Sequence, residues 1–517
     1  MFRSPYPDVV LPAGTLTEVV FGRARDRLYQ AALVDATTGR ALTYGDLLDR
    51  VRRVAAGLAA LGIRKGDVVV LTSPNSPEFA VVFHAVAILG AIVSPANPAN
   101  TSHEIAHQLL DAGATLAVTT AALADKVRAA IDESRLPVEL VTIDAVPGTR
   151  SLAAIERDAD PPAVAIDPAQ DVVVLPYSSG TTGLPKGVML THRNLIANLV
   201  QIDAVEQTQW RAIVGVLPFF HIYGMVVILN LGLMRGATVV TLPRFEFEPF
   251  LKVLQDWRIE VAHIVPPVAV ALAKHPAVDN YDLSQLKCLF SGAAPLGAEL
   301  TDAVYERLRV TVRQGYGMTE ASPATHYTGP GYERAGKTGR LLPCTECRVV
   351  DSETGRDLGA GEAGEVWVRG PQVMKGYLNN PEATARTVDT DGWLHTGDIG
   401  VVDTDGHLSV VDRLKELIKV KGFQVAPAEL EAMLLKHPRI ADVAVIPVPD
   451  ADAGEVPKAI VVARGAITAD EVIAFVHAEV AHYKRIRYVE FIDAIPKSAS
   501  GKILRRVLVE RERAARA

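Results

Sequence analysis

A stretch of hydroxyl residues, glycines and one lysine at residues 177–187 has the composition of a polyphosphate-binding loop. Glycines allow positive φ angles and close backbone approach, while hydroxyl and amide groups donate hydrogen bonds to phosphate oxygens. The common nucleotide P-loop has a Ser or Thr directly after its lysine, but Gly187 follows Lys186 here. The preceding apolar run, residues 171–176, predicts a buried strand that leads into the loop. We therefore expect ATP chemistry other than ordinary γ-phosphate hydrolysis, rather than a flexible surface turn.

Four later motifs contain groups that suit a nucleotide and an acid substrate. They span residues 314–320 (Gln-Gly-Tyr-Gly-Met-Thr-Glu), 392–398 (Gly-Trp-Leu-His-Thr-Gly-Asp), 412–424 and 500–506. Each motif alone is a weak signal, since an Asp-Arg pair or a lysine near a chain end is usually solvated surface. Together, in this order, they closely resemble the adenylate-forming superfamily of acyl- and aryl-acid CoA ligases, especially its 4-coumarate–CoA ligase-like branch. The resemblance extends from about Leu42 to Arg506.

The resemblance implies an enzyme that first lets a carboxylate attack the α-phosphorus of ATP, giving an acyl-adenylate and pyrophosphate. Because two anions must meet, this step needs cations and amide donors near the α-phosphoryl group. Lys502 would bridge the acid and the α-phosphate, Glu320 would help to hold Mg²⁺, and Tyr316 would stack on adenine. Asp398 and Arg413 would bind the ribose hydroxyls. The implied nucleotide-binding residues are Ser178, Ser179, Gly180, Thr181, Thr182, Gly183, Lys186, Gln314, Gly315, Tyr316, Gly317, Thr319, Asp398 and Arg413.

For the second step, the resemblance implies transfer of the acyl group to the thiol of coenzyme A. Lys502 must then leave the site, which the family achieves by rotating the C-terminal domain about a hinge, here near Lys415. Lys419 and Gln424 match residues that are catalytic in the coumarate branch, and Lys421 and Gly422 would approach the site with them. The alternative for these lysines is an exposed basic strand.

A further motif at residues 217–224 (Leu-Pro-Phe-Phe-His-Ile-Tyr-Gly) resembles the segment that lines the acid site. His221 would polarise or position the carboxylate, although a lone histidine beside aromatic residues is more often a core residue. Gly315 and Gly317 are expected to leave a flat slot that suits a benzoate-, cinnamate- or heteroaryl-type acid, with medium-chain aliphatic acids as the alternative. The implied pocket residues are Tyr223, Phe290, Ala293 and Ala324.

Three functions remain open at this level. The first is an acid–CoA ligase. The second is an enzyme with the same adenylation step that passes the acyl group to an amine, as an ATP-dependent amide synthetase, or to a carrier-protein thiol. The third is a non-catalytic nucleotide-binding protein, which would have no chemical need for Lys186, Glu320, Asp398 and Lys502.

The pattern of strands and helices along the chain indicates an α/β protein. Before about residue 330, short β-branched runs such as 67–71 and 237–242 alternate with longer helical patterns, which predicts doubly wound sheets with parallel strands. Residues 335–411 have the pattern of a small antiparallel β unit. We therefore expect a large N-terminal domain of mixed sheets plus this β unit at residues 1–411, and a small, mobile α+β C-terminal domain at residues 412–517.

Composition limits the partners and the compartment. The net charge is −7 without a block of like charges, which argues against nucleic acid as a partner. Only three cysteines occur among 517 residues and no apolar run begins the chain, so we expect a cytoplasmic protein. For its assembly we expect a monomer or a homodimer. The uncharged stretch 212–234 is long enough to cross a bilayer, but Pro218, His221 and Asn230 interrupt it. We expect a strand, a polar turn at 218–224 and a buried helix there, with no membrane insertion.

Two patterns that look like metal sites are interpreted as structural. His103 and His107 flank Glu104 as in zinc proteases, but no third ligand is apparent downstream. Cys344 and Cys347 form a single CxxC without a second pair, which is typical of two ordinary cysteines.

Overall fold

The computed structural model describes residues 1–178, 185–421, 423–450, 453–477, 480–498 and 501–516. Several residues that the sequence assigns to the site lie outside the described residues. These are Ser179, Gly180, Thr181, Thr182, Gly183, Gly422 and Ser500, together with the side chain of Gln424. Across the described part of the chain, the strands form five sheets, and the predicted α/β class is confirmed.

The largest sheet has a parallel centre. Val68–Thr72 pairs in parallel with Ile92–Ala96 on one side and with Ala114–Thr119 on the other. Every residue of Val68–Thr72 is buried, as expected for a parallel strand that is covered on both faces. The other strands of this sheet are Glu139–Thr142, Arg150–Ser151, Val172–Val174, Tyr177–Ser178, Lys186–Thr191 and Gly376–Tyr377.

Two more sheets share one apolar core with the largest sheet. The first of them has the strands Ala31–Asp35, Ala41–Thr43, Ala212–Gly215 and Thr238–Thr241. The second has the strands Val261–Ile264, Cys288–Ser291, Thr311–Gly317, Ala324–Tyr327 and Arg340–Leu341. Its first three strands are parallel, so the carboxyl ends of Cys288–Ser291 and Thr311–Gly317 lie at one edge. Of the predicted site residues, Phe290 and Tyr316 lie in these two strands and Ala293 comes just after the first of them.

Helices connect these strands. The α-helices span Leu16–Val20, Tyr44–Ala60, Pro77–Ile88, Ser102–Ala112, Ala124–Ser134, Leu152–Ile155, His192–Val205, Leu231–Arg235, Phe247–Asp256, Pro266–Lys274 and Ala298–Leu308. Short 3₁₀ turns span Ala24–Arg27, Ala121–Leu123, Pro276–Asn280 and Thr319–Ala321. The predicted strand, turn and helix of residues 212–234 are confirmed, except that the helix begins with a π-helical segment, Tyr223–Asn230. Among the described residues, no helix is both long and apolar enough to cross a membrane.

The predicted β unit is an antiparallel sheet with a core of its own. Its strands are Phe2–Arg3, Glu346–Val350, Ala363–Arg369, Leu394–Val402 and Leu408–Arg413, with the helix Pro381–Thr387 beside them. The N-terminal edge strand was not predicted, because two residues carry no periodicity. The last strand continues past residue 411, so the predicted domain boundary falls inside it. Cys344 and Cys347 are free thiols, and Cys347 is buried in this sheet.

The C-terminal part forms a fifth sheet around a separate apolar cluster. Its strands are Ile418–Val420, Phe423–Val425, Ile440–Asp450, Gly454–Ala463 and Tyr488–Phe491. Its helices are Pro427–Leu434, Ala469–His477, Arg505–Arg516 and the 3₁₀ turn His482–Lys484. Lys415 lies in the short connection between the β unit and this sheet, which is where the hinge was predicted.

Candidate active site

The base of the predicted phosphate loop is formed by two paired strands. Tyr177–Ser178 pairs antiparallel with Lys186–Thr191, and Ser178 lies directly opposite Lys186. The pairing brings both ends of the loop together at the edge of the largest sheet. Two of the predicted phosphate-binding residues are therefore neighbours in space, as the motif requires.

Glu320, the predicted metal ligand, lies beside this loop base. It is in the 3₁₀ turn Thr319–Ala321 and is only 6% exposed. Its Oε1 atom accepts hydrogen bonds from the hydroxyl groups of Ser178 (3.1 Å) and Tyr377 (2.8 Å). The ammonium group of Lys186 lies 4.7 Å from the centre of the Tyr377 ring. The structure thus connects the predicted metal carboxylate and phosphate lysine through Tyr377, which the sequence did not single out.

The predicted ribose-binding pair is also assembled. Asp398 lies opposite Arg413 in adjacent strands, and the Arg413 Nε atom is 3.3 Å from Asp398 Oδ1. The Tyr316 hydroxyl donates to Asp398 Oδ2 at 2.6 Å. Burial, and then the Asp398 carboxylate, hold the pKa of Tyr316 well above its usual range, so this hydroxyl stays a donor. Tyr316 therefore orients Asp398 with its hydroxyl, whereas the stacking of its ring on adenine stays a prediction.

Glu365 supports this pair and was not predicted. Its Oε1 accepts a hydrogen bond from the Gly397 amide at 3.0 Å, and its Oε2 accepts one from the Trp367 indole at 2.9 Å. Gly397 has φ of +70°, and its carbonyl accepts from the Leu414 amide at 2.8 Å. Glu365 thus holds the backbone immediately before Asp398. In the sequence it is one charged residue of an alternating strand, and nothing local distinguishes it.

Lys502 is near enough to Arg413, Asp398 and His221 for their charges to interact, so it is close to both the predicted ribose pair and the predicted acid site. Burial and then Arg413 lower its pKa to about 8, although the Glu416 and Asp398 carboxylates act in the opposite direction. A Cβ atom on the neighbouring Gly501 would be 3.4 Å from side-chain atoms of Pro267 and Val265, which belong to the N-terminal part. The C-terminal loop therefore lies against the N-terminal part and brings Lys502 into the site.

His221 is a neutral imidazole near Lys502. Burial, and then the Lys502 charge, lower the pKa of His221 to about 4. Its Nδ1 atom accepts a hydrogen bond from the Tyr223 amide at 3.3 Å, so the ring hydrogen of the neutral form is on Nε2. His221 can therefore donate a hydrogen bond to a carboxylate, but near neutral pH it carries no positive charge.

The aromatic side chains predicted to line the acid pocket pack against neighbouring aromatic residues. The Tyr223 hydroxyl donates to the Phe290 carbonyl at 3.2 Å and lies 3.0 Å from His263 Nδ1. The Phe290 ring stacks on Tyr327, with ring centres 4.3 Å apart. Ala293 follows this strand with φ of +69°, a left-handed conformation that a non-glycine residue rarely adopts.

Gly315 is half-buried and Gly317 is exposed, and the flat slot expected at these two glycines stays a prediction. A Cβ atom on Gly315 would lie 3.1 Å from the Phe290 ring, and one on Gly317 would lie 2.0 Å from the Pro323 carbonyl oxygen. The position that a Cβ atom would take is therefore closely contacted at both glycines, so a larger residue at either position would crowd its neighbours. Ala324 is held in this tight arrangement because Asn198 bonds to both its backbone amide and its carbonyl.

Gln314 and Lys419, which the sequence assigns to the site, make contacts outside the groups described above. The Gln314 side chain bonds to both the amide and the carbonyl of Leu296, at 3.1 and 3.0 Å, so it holds the loop after Ser291. Lys419 is exposed on the C-terminal sheet, and its backbone amide donates to Glu455. The structure does not place Lys419 with the enclosed group around Lys502. Lys415 and Lys421 are exposed as well.

Comparison with known proteins identifies two family matches along the chain. The family described as AMP-binding enzyme matches residues 22–378, and the AMP-binding enzyme C-terminal domain matches residues 429–502. The first match covers more than half of the chain.

Individual relatives match over nearly their full length. The chain is 46% identical over 529 residues to 4-coumarate–CoA ligase 5 of Oryza sativa subsp. japonica, covering 98% of this chain and 96% of the relative. It is similar to the crystal structure of ATP-bound MatB from Rhodopseudomonas palustris, with 31% identity and a TM-score of 0.88, over 96% and 99% of the two chains. It is also similar to the anthranilate CoA ligase AuaEII in complex with anthranoyl-AMP, with 27% identity and a TM-score of 0.89, over 98% of each chain.

Proposed function

The chain belongs to the AMP-binding enzyme family, and we propose that it is an AMP-forming ligase that joins an aromatic carboxylic acid to coenzyme A. The observation that carries this proposal is the position of Lys502. Its charge interacts with the Asp398–Arg413 pair and with the neutral His221, so it is near both the predicted ribose site and the predicted acid site, where an acid and an α-phosphate would meet. The similarity to 4-coumarate–CoA ligase 5 over nearly the whole chain supports the thioester product.

In the first half-reaction, a carboxylate oxygen attacks the α-phosphorus of ATP and the bond to pyrophosphate breaks. Lys502 neutralises part of the negative charge that accumulates between the acid and the phosphate. His221 donates a hydrogen bond from Nε2 to the carboxylate and so orients it. Because the ring is neutral, it adds no second positive charge beside Lys502. Removing one such charge-stabilising donor typically lowers the rate by about 10²–10³-fold.

The residues around Glu320 fit a magnesium ion bound with the nucleotide. Within the described residues, no cluster of three or more His, Cys, Asp and Glu side chains is arranged to hold a metal. Mg²⁺ prefers a few protein carboxylates together with phosphate oxygens and water, so one buried carboxylate beside a phosphate-binding lysine suits it. When bound, the ion would neutralise phosphate charge and help pyrophosphate to leave. Glu320 and Lys186 hold the phosphate end of ATP in this proposal.

The second half-reaction uses the predicted domain rotation. Lys502 must move away before a thiol can reach the acyl carbonyl, and the connection that contains Lys415 is the short segment that can absorb the rotation. Lys419 and Gln424 would then take part in thioester formation. Lys419 is exposed on the strand Ile418–Val420 in the present arrangement, which is compatible with a role in the other arrangement. An amine or a carrier-protein thiol as acceptor is the second candidate function.

The aromatic side chains of Tyr223, Phe290 and Tyr327 favour an aromatic acid over an aliphatic acid as the substrate. Stacked and edge contacts with such rings stabilise a planar acid more than an aliphatic chain of equal area. The Phe290 ring is packed against Gly315 and Tyr327, so it closes the path that a long chain would need.

The experiment is a pyrophosphate-release screen over benzoates, cinnamates and fatty acids with ATP. Each active acid is then incubated with coenzyme A or with amines, and the products are identified by mass spectrometry. Thioesters of an aromatic acid are the expected products. Amides without thioesters would support the second candidate, and release only with long-chain acids would contradict the aromatic pocket.

A further inference from the structure

Tyr377 contacts both charged groups of the phosphate end of the site. Its hydroxyl donates to Glu320 Oε1 at 2.8 Å, and its ring lies under the Lys186 ammonium at 4.7 Å. One side chain thus touches the predicted metal carboxylate and the predicted phosphate lysine. Lys186 begins a strand of the largest sheet, whereas Glu320 lies in the 3₁₀ turn Thr319–Ala321.

The hydrogen bond from Tyr377 leaves one oxygen atom of the Glu320 carboxylate available. Oε1 of Glu320 accepts two hydroxyl hydrogens, one from Ser178 and one from Tyr377. Within the described residues, Oε2 accepts no hydrogen bond, although Glu320 is buried. A carboxylate held through one oxygen presents the other to a cation in a fixed direction.

The ring contact acts on the lysine. A cation over the face of an aromatic ring is attracted by the ring quadrupole, more strongly where water is excluded. Tyr377 is only 7% exposed. The ring therefore limits where the Lys186 ammonium can lie before a phosphate arrives, without neutralising its charge as a carboxylate would.

The backbone of Tyr377 is attached to the strand that carries Lys186. Tyr377 pairs with Val188, and the Leu378 amide donates to the Gly187 carbonyl at 2.8 Å. The Tyr377 amide itself donates to the Thr384 hydroxyl at 2.9 Å. The ring and the lysine thus keep their relative position by main-chain hydrogen bonds.

We propose that Tyr377 is a positioning residue. It holds the metal-binding carboxylate of Glu320 and the phosphate-binding ammonium group of Lys186 so that both can act on the same polyphosphate. Its hydroxyl orients Glu320 for a divalent cation, and its ring places Lys186. The inference rests on the proposed function, because it requires ATP with a divalent cation at this site. If Tyr377 only filled space in the core, its replacement would reduce ATP affinity equally with and without magnesium, because the whole site would become less ordered.

The test separates the two contacts with two variants. Tyr377→Phe keeps the ring and removes the hydroxyl, whereas Tyr377→Leu removes both. ATP binding is measured calorimetrically in EDTA and then during titration with MgCl₂ at constant ATP. Tyr44→Phe is the matched control, since it removes a buried tyrosine hydroxyl that donates to the Leu233 and Ala237 carbonyls.

For Tyr377→Phe, we expect unchanged ATP affinity in EDTA and about a tenfold higher magnesium concentration at half-saturation, since a hydrogen bond to a charged group is lost. Tyr377→Leu should also lose about threefold in ATP affinity in EDTA, because the ring contact is gone. Tyr44→Phe should change neither value. If Tyr377→Phe does not fold, Ser178→Ala removes the other donor to the same oxygen and should raise the magnesium requirement too.

An unchanged magnesium requirement in Tyr377→Phe would overturn the inference. An equal loss of ATP affinity with and without magnesium in the same variant would also overturn it. Failure of the proposed function would look different. In that case the wild-type protein itself would show no magnesium-dependent ATP binding.

Discussion

The rate of the first half-reaction should fall between about pH 7 and pH 9, because Lys502 loses its proton over this range. Burial and the Arg413 charge lower the pKa of this lysine to about 8. Its charged form therefore predominates below that pH and is lost above it. With this pKa, the protonated fraction falls from about nine-tenths at pH 7 to about one-tenth at pH 9. We expect kcat/KM for adenylation to fall about tenfold, since kcat/KM reports the groups of the free enzyme.

The assay is pyrophosphate release from ATP and a good acid substrate, without coenzyme A and at acid concentrations well below KM. Leaving out coenzyme A removes the ionisation of its thiol from the profile. His221 does not contribute to the fall, because its pKa of about 4 keeps it neutral over the whole range.

Lys502→Arg is the control for this prediction, since a guanidinium stays charged at every pH used. Its residual activity should be nearly constant over the range in which wild-type activity falls. A wild-type profile without a decrease, or the same decrease in Lys502→Arg, would refute the reasoning that the Lys502 charge limits adenylation.

Three further predictions concern Glu365, Phe290 and Lys415. Glu365→Ala leaves the Gly397 amide without its acceptor, so KM for ATP should rise about three- to tenfold in steady-state kinetics; an unchanged KM would mean that Glu365 does not hold Asp398 in place. Phe290→Ala removes a 3% exposed ring that stacks on Tyr327, so it should lower the free energy of unfolding in urea by about 3–5 kcal/mol and improve kcat/KM for dodecanoate relative to cinnamate; a wild-type preference for dodecanoate would contradict the aromatic pocket. Lys415→Pro restricts the predicted hinge, so pyrophosphate release should persist while acyl-adenylate accumulates, as measured by mass spectrometry of the bound intermediate; normal thioester formation would place the pivot elsewhere.

Local pattern alone was enough to predict the elements that depend on neighbouring residues. The β-branched run before the phosphate loop forms the strand Val172–Val174, and the stretch 212–234 forms a strand, turn and helix. Such elements are determined by side-chain type and periodicity within a few residues. The order of the motifs was sufficient to predict the family as well, because each motif is a short continuous string.

Contacts between distant segments were decided only by the tertiary structure. Ser178 and Glu320 are 142 positions apart, and Tyr377 joins them from a third segment. The Phe290 ring near Gly315 and the Pro323 carbonyl near Gly317 are also neighbours that the glycines in the sequence do not reveal. The pKa of Lys502 likewise depends on Arg413 and on burial, which packing creates. The sequence by itself therefore determined which chemical groups are present and in which elements, whereas side-chain packing across sheets decided their distances, charges and free space.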